Sequence, residues 1–129
     1  MDRMIDFFVD TNILIYILEK HPHPMISSIV KFSHAVSVIS EIELLGKKNI
    51  TPYEVNIARK LLNNCEVIEL NNAIKETAIA LKQKYSIKTS DAIIAATSKV
   101  FNLQLVTADK DFKKIEDIEV VLLDLKSNN

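Results

Sequence analysis

Five short apolar runs alternate along this chain with segments of helical periodicity, and that alternation constrains the fold more than any other feature of the sequence. The runs are Ile5 with Phe7, Phe8 and Val9; Ala35 to Ile39; Val67 to Leu70; Leu103 to Thr107; and Val120 to Leu123. Bounded as they are by polar residues, they read as buried strands. Between them, Ile13 to Leu18 follows Thr11-Asn12 as a helix that stops before His21-Pro22-His23-Pro24, where proline bars continuation. Met25 to Phe32 predicts a second short helix, and Ser40-Glu41-Ile42-Glu43 opens a third that ends near Gly46. Thr51-Pro52-Tyr53-Glu54 is a capping box with proline at the first helical position. Ile74, Ala78, Leu81 and Tyr85 share one helical face, and Ser90-Asp91 leads into Ala92-Ile93-Ile94-Ala95-Ala96, apolar on nearly every side and so expected deep inside. Strands alternating with helices pair in parallel, with their crossovers laid on both faces of the sheet. The expectation is an α/β fold with a central, mainly parallel sheet of four or five strands.

The 129 residues predict one domain, 1–129, ending in a polar tail at Lys126–Asn129 and able to bury roughly two-thirds of its unfolded surface. A single glycine, Gly46, removes several enzyme classes at once. The P-loop, the dinucleotide G-x-G-x-x-G turn and the G-x-S-x-G nucleophile elbow each need two or more glycines. Cys65 alone can form neither an internal disulfide nor a Cys-rich zinc site, which fits a reducing compartment, and beside Val67 and Ile68 it reads as a packed thiol. The apolar stretch from Phe7 to Leu18 is broken by Asp10 and Asn12, is too short to cross a bilayer, and lacks a small-residue cleavage site. A cytoplasmic protein without membrane attachment is expected.

In open α/β sheets, ligands gather at the carboxyl ends of the strands. Asp10 ends the first run, Glu43 lies one turn into the helix after the second, Asp91 starts the most buried helix, and Asp109 follows the fourth run. Each has a purely structural explanation: a helix cap at Asp10, a Ser40-x-x-Glu43 capping box, a macrodipole partner at Asp91, a turn at Asp109. Together they point elsewhere. Two ionised carboxylates 4 Å apart repel by about 4 kcal/mol at an effective dielectric near 20, so several converge only when they share protons or bind a cation. Oxygen-only ligands select Mg²⁺ or Mn²⁺, and such a site can activate water and stabilise the leaving oxygen of a phosphodiester. Setting those four acids aside leaves the remaining surface with a surplus of three cations, which suits an anionic substrate. Lys47, Lys48, Lys88, Lys110, Lys113 and Lys114 flank the acidic segments, or act simply as solubilising charge. His21 and His23, set among prolines, read as a loop rather than a ligand pair.

Four blocks carry a resemblance: Phe8-Val9-Asp10-Thr11-Asn12, Ile39-Ser40-Glu41-Ile42-Glu43-Leu44-Leu45-Gly46, Lys88-Thr89-Ser90-Asp91-Ala92-Ile93-Ile94-Ala95-Ala96-Thr97, and Leu105-Val106-Thr107-Ala108-Asp109-Lys110-Asp111-Phe112. In this order, and across almost the whole chain, they resemble the PIN-domain family and, more narrowly, its VapC-like toxin ribonucleases. The resemblance implies a three-layer α/β/α sandwich, Mg²⁺- or Mn²⁺-dependent endoribonuclease activity, a small antitoxin partner and a homodimer. It implies Asp10 and Asp91 as principal metal ligands, with Glu43 acting directly or through water and Asp109 as the fourth acid. Thr11 and Asn12 would line the pocket, and Thr107 would orient carboxylates or water. Gly46 follows the second acid one residue earlier than in many relatives, which keeps Glu41 open beside Glu43. Asp111 stays open beside Asp109, although Asp111-Phe112 also reads as pinning the next turn.

Three functions follow. The first is in-line hydrolysis of single-stranded or looped RNA, leaving 5′-phosphate and 3′-hydroxyl ends as the resemblance implies. The second is a catalytically silent PIN-fold module that binds RNA or a protein. The third is a phospho-acceptor receiver domain, which asks for paired acids after its first strand where this chain offers Asp10-Thr11-Asn12. The apolar helix Ile13–Leu18, with Met25 and Ile29, is expected to contribute to a dimer or antitoxin interface.

Overall fold

A computed structural model describes residues 4–125; the expected polar tail, 126–129, lies outside them. The chain runs β1 (Phe7–Val9), α1 (Thr11–Leu18), α2 (Pro24–Lys31), β2 (His34–Ser37), α3 (Val38–Leu45), α4 (Pro52–Asn63), β3 (Glu66–Ile68), α5 (Asn72–Lys84), α6 (Thr89–Phe101), β4 (Leu105–Thr107), a 3₁₀ turn (Lys110–Lys114) and β5 (Val120–Leu122). The sheet is five-stranded in the order β3-β2-β1-β4-β5, and each pairing is parallel. Successive residues of a strand face opposite sides, so Phe8, Ala35 and Leu105 enter one core with Ile74, Ala78, Leu81 and Ala95, from α5 and α6. Val9, Val36 and Val106 enter the other with Ile13, Leu14, Ile29, Leu44 and Ala58, from α1 to α4. Helices on both faces of one parallel sheet make three layers, α/β/α.

The order of strands decides where a site can form. From β1 the chain moves to β2 and β3 on one side, then returns to lay β4 and β5 on the other. The reversal falls between β1 and β4, and at such a point the loops leaving the two carboxyl ends diverge and open a crevice. Asp10 directly follows β1, and Asp109 lies two residues beyond β4.

Several element boundaries differ from the sequence-based expectation. The second strand ends at Ser37, and Val38 and Ile39, expected to extend it, open α3 instead. The buried Ser37 hydroxyl accepts the Ile39 N–H at 3.0 Å and caps the helix, which outweighs the β preference of Val-Ile. Ser40 is therefore not a cap: it lies inside α3. The third strand stops at Ile68, leaving Leu70 exposed. The fourth starts only at Leu105, because Asn102, in the left-handed conformation at φ 52°, ends α6 just before it. The Thr51–Glu54 capping box forms as expected, with both reciprocal hydrogen bonds. Ile29, expected on a partner surface, is fully buried in the core; α2 turns it inward beside Ile26. In α1, Ile13 and Leu14 are buried and only Ile15 is exposed.

Gly46 ends α3 with its N–H on the Ile42 carbonyl at 2.7 Å, and a Cβ there would stand 2.5 Å from that oxygen. Because the obstacle is backbone, Gly46→Ala is expected to cost about 1–2 kcal/mol. Urea denaturation of the two proteins checks this: a lower midpoint at unchanged slope is the expected result.

Candidate active site

Asp10 is the N-cap of α1, in extended backbone, and the residue is only 6% exposed. Its position is set three times. Its main-chain N–H donates to the Val106 carbonyl at 3.0 Å, extending the β1–β4 ladder. Its Oδ1 accepts the Thr11 N–H at 2.7 Å, the cap interaction. Its Oδ2 accepts the hydroxyl of fully buried Thr107, at the end of β4, also at 2.7 Å. Thr107 Oγ1 in turn accepts the Asp109 N–H at 3.0 Å, so one hydroxyl aligns both acids. Asn12 pins the same corner from the other side, its side-chain oxygen accepting the Ala108 N–H at 3.3 Å.

Glu43 reaches this corner through α3. The Thr11 hydroxyl lies 2.6 Å from Glu43 Oε1 and 2.8 Å from Ser40 Oγ. A hydroxyl has one proton and an ionised carboxylate only accepts, so Thr11 donates to Glu43 and accepts from Ser40. Ser40, 0% exposed, thus supports Glu43 through Thr11. Sequence reasoning missed this role, because with the strand expected to run to Ile39, Ser40 read as the start of the helix. The helical spacing of Ser40 and Glu43, three residues apart on one face, was the available signal. Glu41, the alternative, points away: its carboxylate lies 3.7 Å from Arg59 of α4.

Asp91 stands in the first turn of α6, half-buried, with Lys88 the N-cap residue. Burial raises its pKa, Lys88 lowers it, and the charges of Asp109, Glu43 and Asp111 raise it further. Asp109 caps the 3₁₀ turn through the Asp111 N–H at 2.9 Å. Its charge acts on both Asp10 and Asp91, whereas that of exposed Asp111 acts on Asp91. The structure therefore brings Asp10, Glu43, Asp91 and Asp109 to the crevice between β1 and β4, and leaves Asp111 at its rim. Of the flanking lysines, Lys47 pairs with Glu54 at 3.9 Å and Lys114 donates to the Ser86 carbonyl at 2.8 Å. Cys65 packs as expected: its thiol donates to the Leu61 carbonyl, and burial pushes its pKa up to about 11. His23 accepts the Met25 N–H as the cap of α2, a loop role.

The donor set is oxygen alone, the chemistry of Mg²⁺ or Mn²⁺. Asp10 also carries the mark of an anion lacking a counterion. Burial pushes its pKa up to about 6, and the Thr107 and Thr11 hydrogen bonds do not offset that, with Asp91 and Asp109 adding to the rise. The donors are nonetheless spread, for among the described residues no three acid, His or Cys side chains stand close enough to hold an ion as a ready cluster.

A folded pKa above the ordinary carboxyl value near 4 means the native state binds the proton more tightly than the unfolded chain does. Ionised Asp10 then costs stability that is absent below about pH 4 and fully developed above about pH 6. In metal-free protein Asp10→Asn, which keeps an acceptor for Thr11 and drops the charge, is expected to gain up to about 3 kcal/mol at pH 8. The gain should vanish near pH 4. Thermal unfolding of both proteins in EDTA across that range is the check, and a destabilised variant at pH 8 refutes it.

Comparison with known proteins follows the same geometry. The family model described as PIN domain matches residues 7–118. A protein of Methanocaldococcus jannaschii named ribonuclease VapC6 is 28% identical over 112 residues, covering 77% of this chain and 73% of that one. A chain of a toxin–antitoxin complex from Klebsiella pneumoniae superposes with a TM-score of 0.75 at 30% identity, over 90% of this chain and 96% of that chain. A chain of VapBC2 from Rickettsia felis, solved bound to a DNA fragment from its promoter, gives 0.76 at 26% identity, over 94% and 100%.

Proposed function

The chain belongs to the PIN domain family, and from that premise we propose that it is a divalent-metal-dependent endoribonuclease, the toxin of a toxin–antitoxin pair acting in the cytoplasm. The observation that carries the reading is the buried Asp10 carboxylate at the β1–β4 crevice, tied to Thr107 and flanked by Asp91, Asp109 and the Thr11-bound Glu43. The relatives named ribonuclease and toxin–antitoxin complex support the substrate class and the partner.

Asp10 and Asp91 are the residues assigned to hold Mg²⁺ or Mn²⁺, with Glu43 and Asp109 completing the set. The bound ion would supply Lewis acidity at a phosphodiester oxygen and a water of lowered pKa. The chain's own residues supply position. Thr107 holds Asp10 and Asp109 in register, Thr11 holds Glu43, and Lys88 is close enough to Asp91 to lower its pKa. Because no three acids form a ready cluster, a PIN-fold module that binds RNA or protein without cutting is the second reading. The four acids argue against it.

An apolar groove of about 510 Å³ runs between α1, α3 and α4, walled by Ile15, Leu18, Leu44 and Ile57, with Glu43 at its rim. This groove is the surface assigned to the antitoxin, and Ile15, the exposed residue of α1, is its outermost apolar contact. Among the described residues no helix is long and apolar enough to cross a membrane.

A pool of structured and single-stranded RNA, incubated with Mg²⁺ or Mn²⁺ or with EDTA, tests the activity. Wild type should cut only with metal, while Asp10→Asn and Asp91→Asn should fall to the EDTA background yet remain folded. Metal-independent cutting, or full activity in either variant, refutes the reading. Thr11→Val, which removes the hydroxyl that holds Glu43, should lower kcat/KM by roughly 10–100-fold, and an unchanged value would remove Glu43 from the site.

A further inference from the structure

A cleft of about 720 Å³ opens beside the acids, between α1 and the segment following β4, and shares Asn12 and Asp109 with the site described above. Its apolar surface comes from Leu122, Leu123 and Leu125, and its aromatic surface from Tyr16. Its charged groups are Asp109, Asp111, Asp124 and Lys110. The walls are braced by the His21-Pro22-His23 loop. His21 Nδ1 accepts the His23 N–H at 3.1 Å, so the ring proton sits on Nε2, which donates to the Leu125 carbonyl at 3.0 Å. The same ring packs edge-on against Tyr16, with centroids 5.2 Å apart. One imidazole therefore ties α1 to the chain after β5 and holds the two sides of the cleft at a set width.

Carboxylates outnumber the single ammonium here, so the cleft is a poor host for phosphate. It is large enough for an unpaired nucleotide, and unpaired bases are recognised by stacking on aromatic rings and by hydrogen bonds to their edges. Among the described residues, the carboxylates of Asp111 and Asp124 have no hydrogen-bond or ion-pair partner. A carboxylate accepts only, so it selects an edge presenting adjacent donors. Guanine presents two, N1–H and the N2 amino group. Adenine and cytosine place an acceptor nitrogen beside their amino group, and uracil flanks one N–H with two carbonyls. Lys110, a donor, suits the remaining O6 acceptor of guanine.

We propose that this cleft binds an unpaired guanine of the RNA next to the cut phosphodiester, with Tyr16 as the stacking surface and Asp124 as an acceptor for the N1–H/N2–H edge. The proposal rests on the nuclease reading for its placement, and binding can be measured without turnover. The test uses labelled uridine hexanucleotides bearing one central guanine, inosine or adenine, titrated with wild type in EDTA and followed by fluorescence anisotropy. Guanine should bind roughly tenfold tighter than adenine, as a bidentate edge contact allows, and inosine, which lacks the N2 amino group, should fall between them. Asp124→Asn should reduce the guanine preference to less than about threefold, and Tyr16→Leu should weaken all three. Equal affinity for the three oligonucleotides, or a preference untouched by Asp124→Asn, overturns the proposal. A protein that selects guanine but cuts no RNA with metal overturns the nuclease reading and leaves the cleft assignment standing. A protein that cuts without regard to guanine does the reverse.

Discussion

The carboxyl group of Asp10 is held out of water by its own backbone. The main-chain N–H of this residue completes the pairing of β1 with β4 at Val106, and its side chain then accepts from Thr107 of the same partner strand. The ladder thus aims the acid, and the acid closes the end of the ladder. Thr107 passes the constraint on to the Asp109 N–H, and Thr11 passes it to Glu43. Most of what places the candidate site can be traced from that one junction in the middle of the sheet, where strand order reverses.

Gathering acids is costly, and the fold meets the cost locally. Asp10 caps α1, Asp91 lies against the positive end of α6, and Asp109 caps the 3₁₀ turn. Each stabilises the start of a helical segment through ordinary capping or dipole interactions. The structural and functional explanations of these residues are therefore not rivals: at Asp10 and Asp109 the bonds that satisfy helix ends also fix the carboxylates beside the crevice. What remains unmet is the desolvation of Asp10, and a cation answers that kind of cost.

The alternation of strands and helices, the inward stripe of α5, the burial of α6 and the Thr51 capping box were all legible in the sequence, because each rests on local periodicity or a short-range hydrogen bond. The three-layer arrangement followed from alternation and the known hand of crossovers. The β2–α3 boundary was not legible. Val38-Ile39 has strand propensity, and only the burial of Ser37 in the tertiary structure turns it into a helix start. That single shift hid the part played by Ser40. The choice between Glu41 and Glu43 stayed open for a related reason: residues two apart lie on different sides of a helix, and which side meets Thr11 depends on how α3 docks. Ile29 shows the opposite error, since an apolar residue on a short helix carries no mark in sequence that separates core from interface.

The order of the strands has a consequence for synthesis. β1 leaves the ribosome before the other strands of the sheet, yet the neighbour it needs, β4, begins almost a hundred residues later. Until Thr107 and Asp109 have emerged, Asp10 lacks the hydroxyl that holds it and the acid that faces it, while β2 and β3 already have their places on the other side. A nascent chain therefore carries all of the second core's early helices but no assembled acidic crevice. β4, buried at all three of its positions, thus sets the timing, and a chain interrupted before it lacks the crevice.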